Sequence, residues 1–163
     1  MKRREILVGH IYHDGKHGLR EVLGEKPLAG TIRYRLLASK VEREFGTDGQ
    51  PKSLIGQESE VTTNGFAAWA KVGYAAEDGH RVLLRLQAEK VKLSPGESAF
   101  MQSVIVEAEG GSLAAGTRVS YDHTEGRAVA GLEKKGLLHR AGGHEVEVLP
   151  LGAARITAMA LVS

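Results

Sequence analysis

The sequence predicts an α+β chain: a small β-rich module followed by a helical module that closes with a hairpin. Three observations carry this. Thr31-Ile32-Arg33-Tyr34-Arg35-Leu36 alternates apolar and polar positions, the period-2 pattern of a half-buried strand. Ser94-Pro95-Gly96-Glu97 is a capping box with proline at the first helical position, and Met101, Val104, Ile105 and Ala108 follow at helical spacing. Ala141-Gly142-Gly143-His144 separates two short apolar runs and predicts a tight hairpin tip between strands at 137–140 and 145–149.

Taken in order, residues 5–13 and 19–25 predict two strands, carrying Ile6, Val8, Ile11 and Tyr12, then Leu19, Val22 and Leu23. Asp14-Gly15-Lys16-His17-Gly18 supplies the turn between them, with two glycines able to take positive φ. Pro27 and Gly30 break the chain before the alternating strand, which places Arg33 and Arg35 on one outer face. Residues 46–52 are expected as a polar loop and 57–63 as another strand. Thr62, Thr63 or Asn64 then caps a short helix running through Phe66-Ala67-Ala68-Trp69-Ala70-Lys71. Residues 79–92 fit a strand through Val82, Leu84 and Leu86 or a connecting helix through Val82, Leu83, Leu86 and Val91; the helix is the expectation. After the box at Ser94 the first long helix is expected to stop at Gly110-Gly111. A second begins near Asp122-His123-Thr124-Glu125, buries Ala128, Val129 and Leu132, and ends at Gly136. The domains expected are a β-module over 1–75, a connecting segment over 76–93 and a helical domain over 94–163.

Composition narrows the function classes. The 163 residues contain no cysteine, which excludes disulfides, thiolate metal sites and cysteine nucleophiles and suits a reducing, cytoplasmic setting. The basic N-terminus lacks the apolar core of a signal peptide, and no apolar run reaches the length of a membrane span, so no membrane role is expected. The formal net charge of +2 is unevenly spread: residues 1–43 carry ten Lys/Arg against five Asp/Glu, 44–89 carry four against seven, and 90–163 carry eight of each.

The order helix, short segment, helix ending in Leu132-Glu133-Lys134-Lys135-Gly136-Leu137-Leu138, glycine hairpin and Leu149-Pro150-Leu151-Gly152 resembles the winged helix-turn-helix superfamily over residues 94–157. The N-terminal module resembles an SH3-like partial barrel. One departure from the winged-helix pattern is visible. The segment from Ser112 to Ser120 has room for one helical turn and a strand, not for the separate positioning helix of that family. The resemblance implies DNA binding and transcription regulation, with Tyr121, His123, Thr124, Arg127 and Lys134 on or beside the recognition helix and Arg140 and His144 on the wing. Arg33 and Arg35 on the N-terminal strand extend the expected nucleic-acid contact. The alternative is a protein–protein adaptor that docks through the same domain, such as a phage or mobile-element factor seated on a host complex.

No enzyme chemistry is expected: no catalytic residue, no cofactor, no metal. His10, His13 and His17 lie close in sequence with Asp14 between them, but positions 10 and 13 of a strand face opposite ways. Gly15-Lys16 lacks both the spaced glycine before it and the Ser/Thr after it that a phosphate loop needs. Tyr12 and Tyr34 could present a stacking surface to single-stranded bases, although cross-strand packing is the simpler role. Trp69 is expected in the core.

Overall fold

The computed structural model describes residues 1–107 and 113–160. The chain divides into two compact units, Met1–Leu83 and Leu84–Ser163, each mixed in secondary structure.

The first reversal is made by Asp14. Its Oδ1 accepts from the backbone N–H groups of Lys16, His17 and Gly18 at 2.8, 3.0 and 2.9 Å, with Gly15 at φ +82°. This Asx-type turn joins β1 (Ile11–His13) to β2 (Leu19–Lys26). A second turn at 27–30, with Gly30 at φ +64°, leads into β3 (Thr31–Ala38). The expected first strand, 5–13, is shorter than its apolar pattern implied. A 3-10 turn (Arg3–Glu5) precedes it, and the segment after that turn folds around the buried Tyr12 phenol, which accepts from Leu7 N at 2.7 Å and donates to Glu5 O at 3.0 Å. Leu7 N is thus satisfied by a side chain, and the segment reaches β2 only at Gly9 and His10, through Val22.

The stretch expected as a polar loop also differs. Residues on either side of it form a two-stranded ribbon, β4 (Arg43–Phe45) with β5 (Pro51–Ser53), turned by Asp48 and by Gly49 at φ +72°. All six strand residues are exposed, so the ribbon has no buried face to print an alternating pattern. Strand β6 (Glu58–Thr62) then runs into helix α1 (Thr63–Trp69), whose cap is Thr62, its Oγ1 accepting from Gly65 N at 3.1 Å. The helix ends at Trp69, two residues before the expected Lys71, and β7 (Val72–Tyr74) follows. The five-stranded sheet is antiparallel throughout, in the order β6-β3-β2-β1-β7. Tyr12, Val22, Ile32, Phe66 and Ala70 form its core, with Tyr12 edge-on to Phe66 at 5.5 Å. The stacking surface suggested for Tyr12 is therefore absent: its ring is spent on packing.

Helix α2 (Ala76–Lys90) carries the chain across the division between the units. Gly79 in its first turn lies against Ile11, where a Cβ would come within 2.5 Å of the isoleucine Cβ.

In the second unit α3 (Pro95–Glu107) begins at the expected box. Glu97 Oε2 accepts from Ser94 N at 2.6 Å, and Ser94 Oγ accepts from Glu97 N at 3.3 Å. Ala108, Gly110 and Gly111, expected to complete and stop this helix, lie outside the described residues. Strand β8 (Arg118–Ser120), helix α4 (Gly126–Lys134), and strands β9 (Leu138–Gly142) and β10 (Glu145–Val148) follow. The strands make an antiparallel sheet in the order β8-β10-β9. Helix α5 (Pro150–Ala160), with proline at its first position, is an addition to the expected elements. Phe100, Met101, Val104, Val129, Leu132, Leu137, Leu138, Val146, Val148 and Ile156 close one core, each large side chain contributing roughly 1.5–3 kcal/mol by burial. Gly136 at φ +71° reverses the chain so that Leu132 and Leu137 reach it together, with Leu137 N donating to Leu132 O at 3.0 Å. Among the described residues no helix is long and apolar enough to cross a membrane.

Candidate nucleic-acid interface

The approach to α4 is organised by Asp122 and Glu125. Asp122 Oδ1 accepts from Thr124 N at 2.7 Å, from Glu125 N at 3.1 Å and from the Thr124 hydroxyl, while Glu125 Oε2 accepts from Asp122 N at 2.9 Å. The hydrogen bonds from Thr124 hold the exposed Asp122 carboxyl below its ordinary range. The box is thus formed as the sequence implied, but it closes a turn, and the helix proper starts one turn later, at Gly126. Thr124 is committed to this turn through its hydroxyl, and His123 is exposed beside it. No α-helix lies between residue 113 and α4 among the described residues.

Helix α4 buries Val129 and Leu132. Arg127, Ala130 and Lys134, at i, i+3 and i+7, are exposed and share the opposite face. Among the described residues no carboxylate pairs with Arg127 or Lys134, so this face presents two open cations about 10 Å apart along the helix.

Arg140, expected as an outward wing contact, is turned back on α4. Its Nη2 donates to Gly126 O at 3.2 Å, its Nε lies 3.7 Å from Glu133 Oε2, and its backbone N donates to Glu133 Oε1 at 3.0 Å. His139 also faces Glu133, at 3.6 Å. The structure therefore brings Arg140 beside the first turn of α4 but offsets its charge. Glu133 is the residue that sequence reasoning missed, although it stands inside the motif that drew attention to this stretch.

The wing tip is a two-residue turn, Gly143-His144, with both φ values at 62°. That is the type I′ geometry that matches strand twist, and histidine is among the non-glycine residues that tolerate it. Tyr121 N donates to His144 O at 2.9 Å and the two rings meet edge to face at 5.6 Å. Tyr121 and His144 thus form one surface element, tying the tip to the segment that leads into α4.

Arg33 and Arg35 belong to the first unit. Both lie on one face of β3 as expected, but facing carboxylates claim them: Arg35 pairs with Glu21 at 3.3 Å and Glu58 at 3.1 Å, and Arg33 with Glu58 at 4.0 Å. The carboxylates sit across the strand pairs, where opposite charges face each other. Among the described residues no three His, Asp or Glu side chains converge on one point. His13 Nδ1 instead accepts from Gly15 N at 3.2 Å.

Comparison with family models, with curated proteins and with solved structures finds no match to this chain.

Proposed function

We propose that the protein is a non-enzymatic DNA-binding regulator that contacts the duplex through the outer face of α4 and the β9–β10 wing. The observation that carries this reading is the pair of unpartnered exposed cations, Arg127 and Lys134, on a helix whose other face is fully committed to the core. The element order supports it: α3, β8, α4 and a wing, with a sheet ordered β8-β10-β9, fits a winged helix, with no positioning helix between residue 113 and α4 among the described residues. In the first unit the order β6-β3-β2-β1-β7, with a short helix between β6 and β7, fits an SH3-like partial barrel. The magnitude of binding follows from the charges left open. Two phosphates neutralised give a salt slope of about −2, so affinity falls about tenfold between roughly 50 and 200 mM salt. Fluorescence anisotropy on a random duplex at those two salt concentrations tests the reading. Absence of binding at the lower one removes it.

A protein-docking role is the second reading. It is favoured by one observation: Arg140, Arg33 and Arg35 are all paired to carboxylates, which leaves little positive field for a polyanion.

A further inference from the structure

Arg20 leaves the sheet of the first unit at the edge of its aromatic core. Its guanidinium carbon lies 4.4 Å from the centroid of the Tyr34 ring and 4.0 Å from that of Trp69. Both rings are braced from behind by the fully buried Phe66, at 6.0 and 5.4 Å. A cation over two aromatic faces is held by their quadrupoles, and a planar guanidinium so held has lost the rotamer freedom that an exposed arginine must give up on binding. No carboxylate forms an ion pair with Arg20 among the described residues, and its buried Nε has no hydrogen-bond partner. The acidic group that acts on Arg20 is Asp14; its Oδ1 takes three backbone amides, while its Oδ2, like the Trp69 ring, lies where a Cβ on Gly18 would stand.

The surroundings are mixed in charge: Asp14 interacts electrostatically with Arg20, and basic side chains stand beside it. A Cβ on Gly18, in the turn that Asp14 organises, would touch Trp69 at 3.0 Å, and one on Gly15 would touch the Lys71 side chain at 3.6 Å. That turn therefore sits against Trp69 and Lys71, and it carries the exposed Lys16 and His17. Arg33 and Arg35 on this sheet are paired with facing glutamates; Arg20 is held over two rings with no salt bridge among the described residues, Asp14 acting on it from a distance.

We propose that Arg20, held over Tyr34 and Trp69, is a preorganised receptor for a phosphate oxyanion, forming a binding site within the first unit. The free edge of the guanidinium takes two phosphate oxygens in a fork, and Lys16 on the adjoining turn adds a screened charge. The phosphate is either a backbone diester of a nucleic acid or a free phosphate group; the chemistry recognised is the same.

Trp69 is the sole tryptophan in the chain, so its fluorescence reports on the clamp alone. Titration of the full chain with sodium phosphate, and separately with a short oligothymidylate, is expected to give a saturable change in that signal. A response to both probes assigns the site to backbone phosphates, and a response to phosphate alone assigns it to the free group. Arg20→Lys keeps the charge and removes the fork, and Arg20→Met keeps the stem on the rings and removes the charge. Both are expected to weaken the response at least tenfold. The 15N shift of the Arg20 Nε group in the unmodified protein, followed through the same titrations, reports the contact should either variant lose its fold. No change at Trp69 or at Arg20 Nε with either probe, or equal saturation in the folded variants, overturns the proposal. The doubly substituted Arg127→Ala, Lys134→Ala protein separates the two sites: losing duplex affinity while keeping the Trp69 response to phosphate leaves each reading to stand or fall alone.

Discussion

Gly131 lies directly under Glu97: a Cβ on the glycine would come within 2.2 Å of Glu97 Oε1. The bare backbone of α4 makes room for a carboxylate that is itself nearly buried and that also accepts from Ser94 N at 2.6 Å and from Lys135 Nζ at 2.5 Å. One side chain thereby joins the start of α3, the middle of α4 and the residue that follows α4. Gly131→Ala must push the carboxylate off these partners. Overpacking of this kind costs about 1–3 kcal/mol, against roughly 1 kcal/mol gained in helix propensity. The expected net loss is on the order of 1 kcal/mol. Gly126→Ala in the same helix meets nothing within 4 Å and is expected to stabilise by about 0.4–1 kcal/mol. Urea midpoints of the two variants should move in opposite directions.

The same carboxylate sets an acid limit. Burial pushes the Glu97 carboxyl up, but hydrogen bonds from Lys135 and Ser94 and the Lys135 charge outweigh this and leave it below its ordinary value of 4.5. A group depressed in the folded state contributes stability that is fully present above its unfolded value and is lost as pH falls through the folded one. Stability from this source should therefore hold at pH 5 to 7 and decline below about pH 4.5. Glu97→Gln is expected to lower stability at neutral pH and to flatten part of the acid limb, measured as denaturation midpoints across that range.

Much of this region was legible locally. The Ser94–Glu97 box, the reversal at Gly136 and the α1 cap, narrowed to Thr62, Thr63 or Asn64, each depend on residues within a few positions of one another, where sequence spacing and spatial contact coincide. The partners that decide charge were not legible. Glu97 meets Lys135 from 38 residues away and Glu133 captures Arg140 from 7, and no pattern of period two or 3.6 encodes either pair. The ribbon β4–β5 was missed for a different reason: with both faces in solvent it has no apolar alternation to show. Arg20 drew no notice because an isolated arginine on a strand gains its meaning only from rings at positions 34 and 69.

The two open cations of α4 make separable contributions. Arg127→Ala is expected to cost about 1–3 kcal/mol and relax preference at one base position if the side chain reaches a base edge. Lys134→Ala should weaken all duplexes alike and reduce the salt slope by about one. Anisotropy on a selected and a scrambled duplex distinguishes these outcomes. Unchanged affinity in both variants assigns the face to a protein partner.

Glu133→Gln tests whether the wing is held in check. The amide still accepts from Arg140 N, but the negative charge facing Arg140 and His139 is gone. Duplex affinity at low salt is expected to rise severalfold, with a salt slope steeper by about one. A docking surface would show no such gain.

The placement of Ile156 has a consequence for how the chain is made. The sheet of the first unit is complete once β7 has paired with β1 through Tyr74 and Ile11, so that unit can close while the ribosome is still adding residues. The second unit must wait. Its core includes Ile156 on α5, and Gly152 presses α5 so tightly on the Leu137 carbonyl that a Cβ there would lie 2.0 Å from the oxygen. Until α5 arrives, this core lacks Ile156 and the helix that presses on Leu137, so the interval between the two closures leaves apolar surface of the second unit open to aggregation and to chaperone capture.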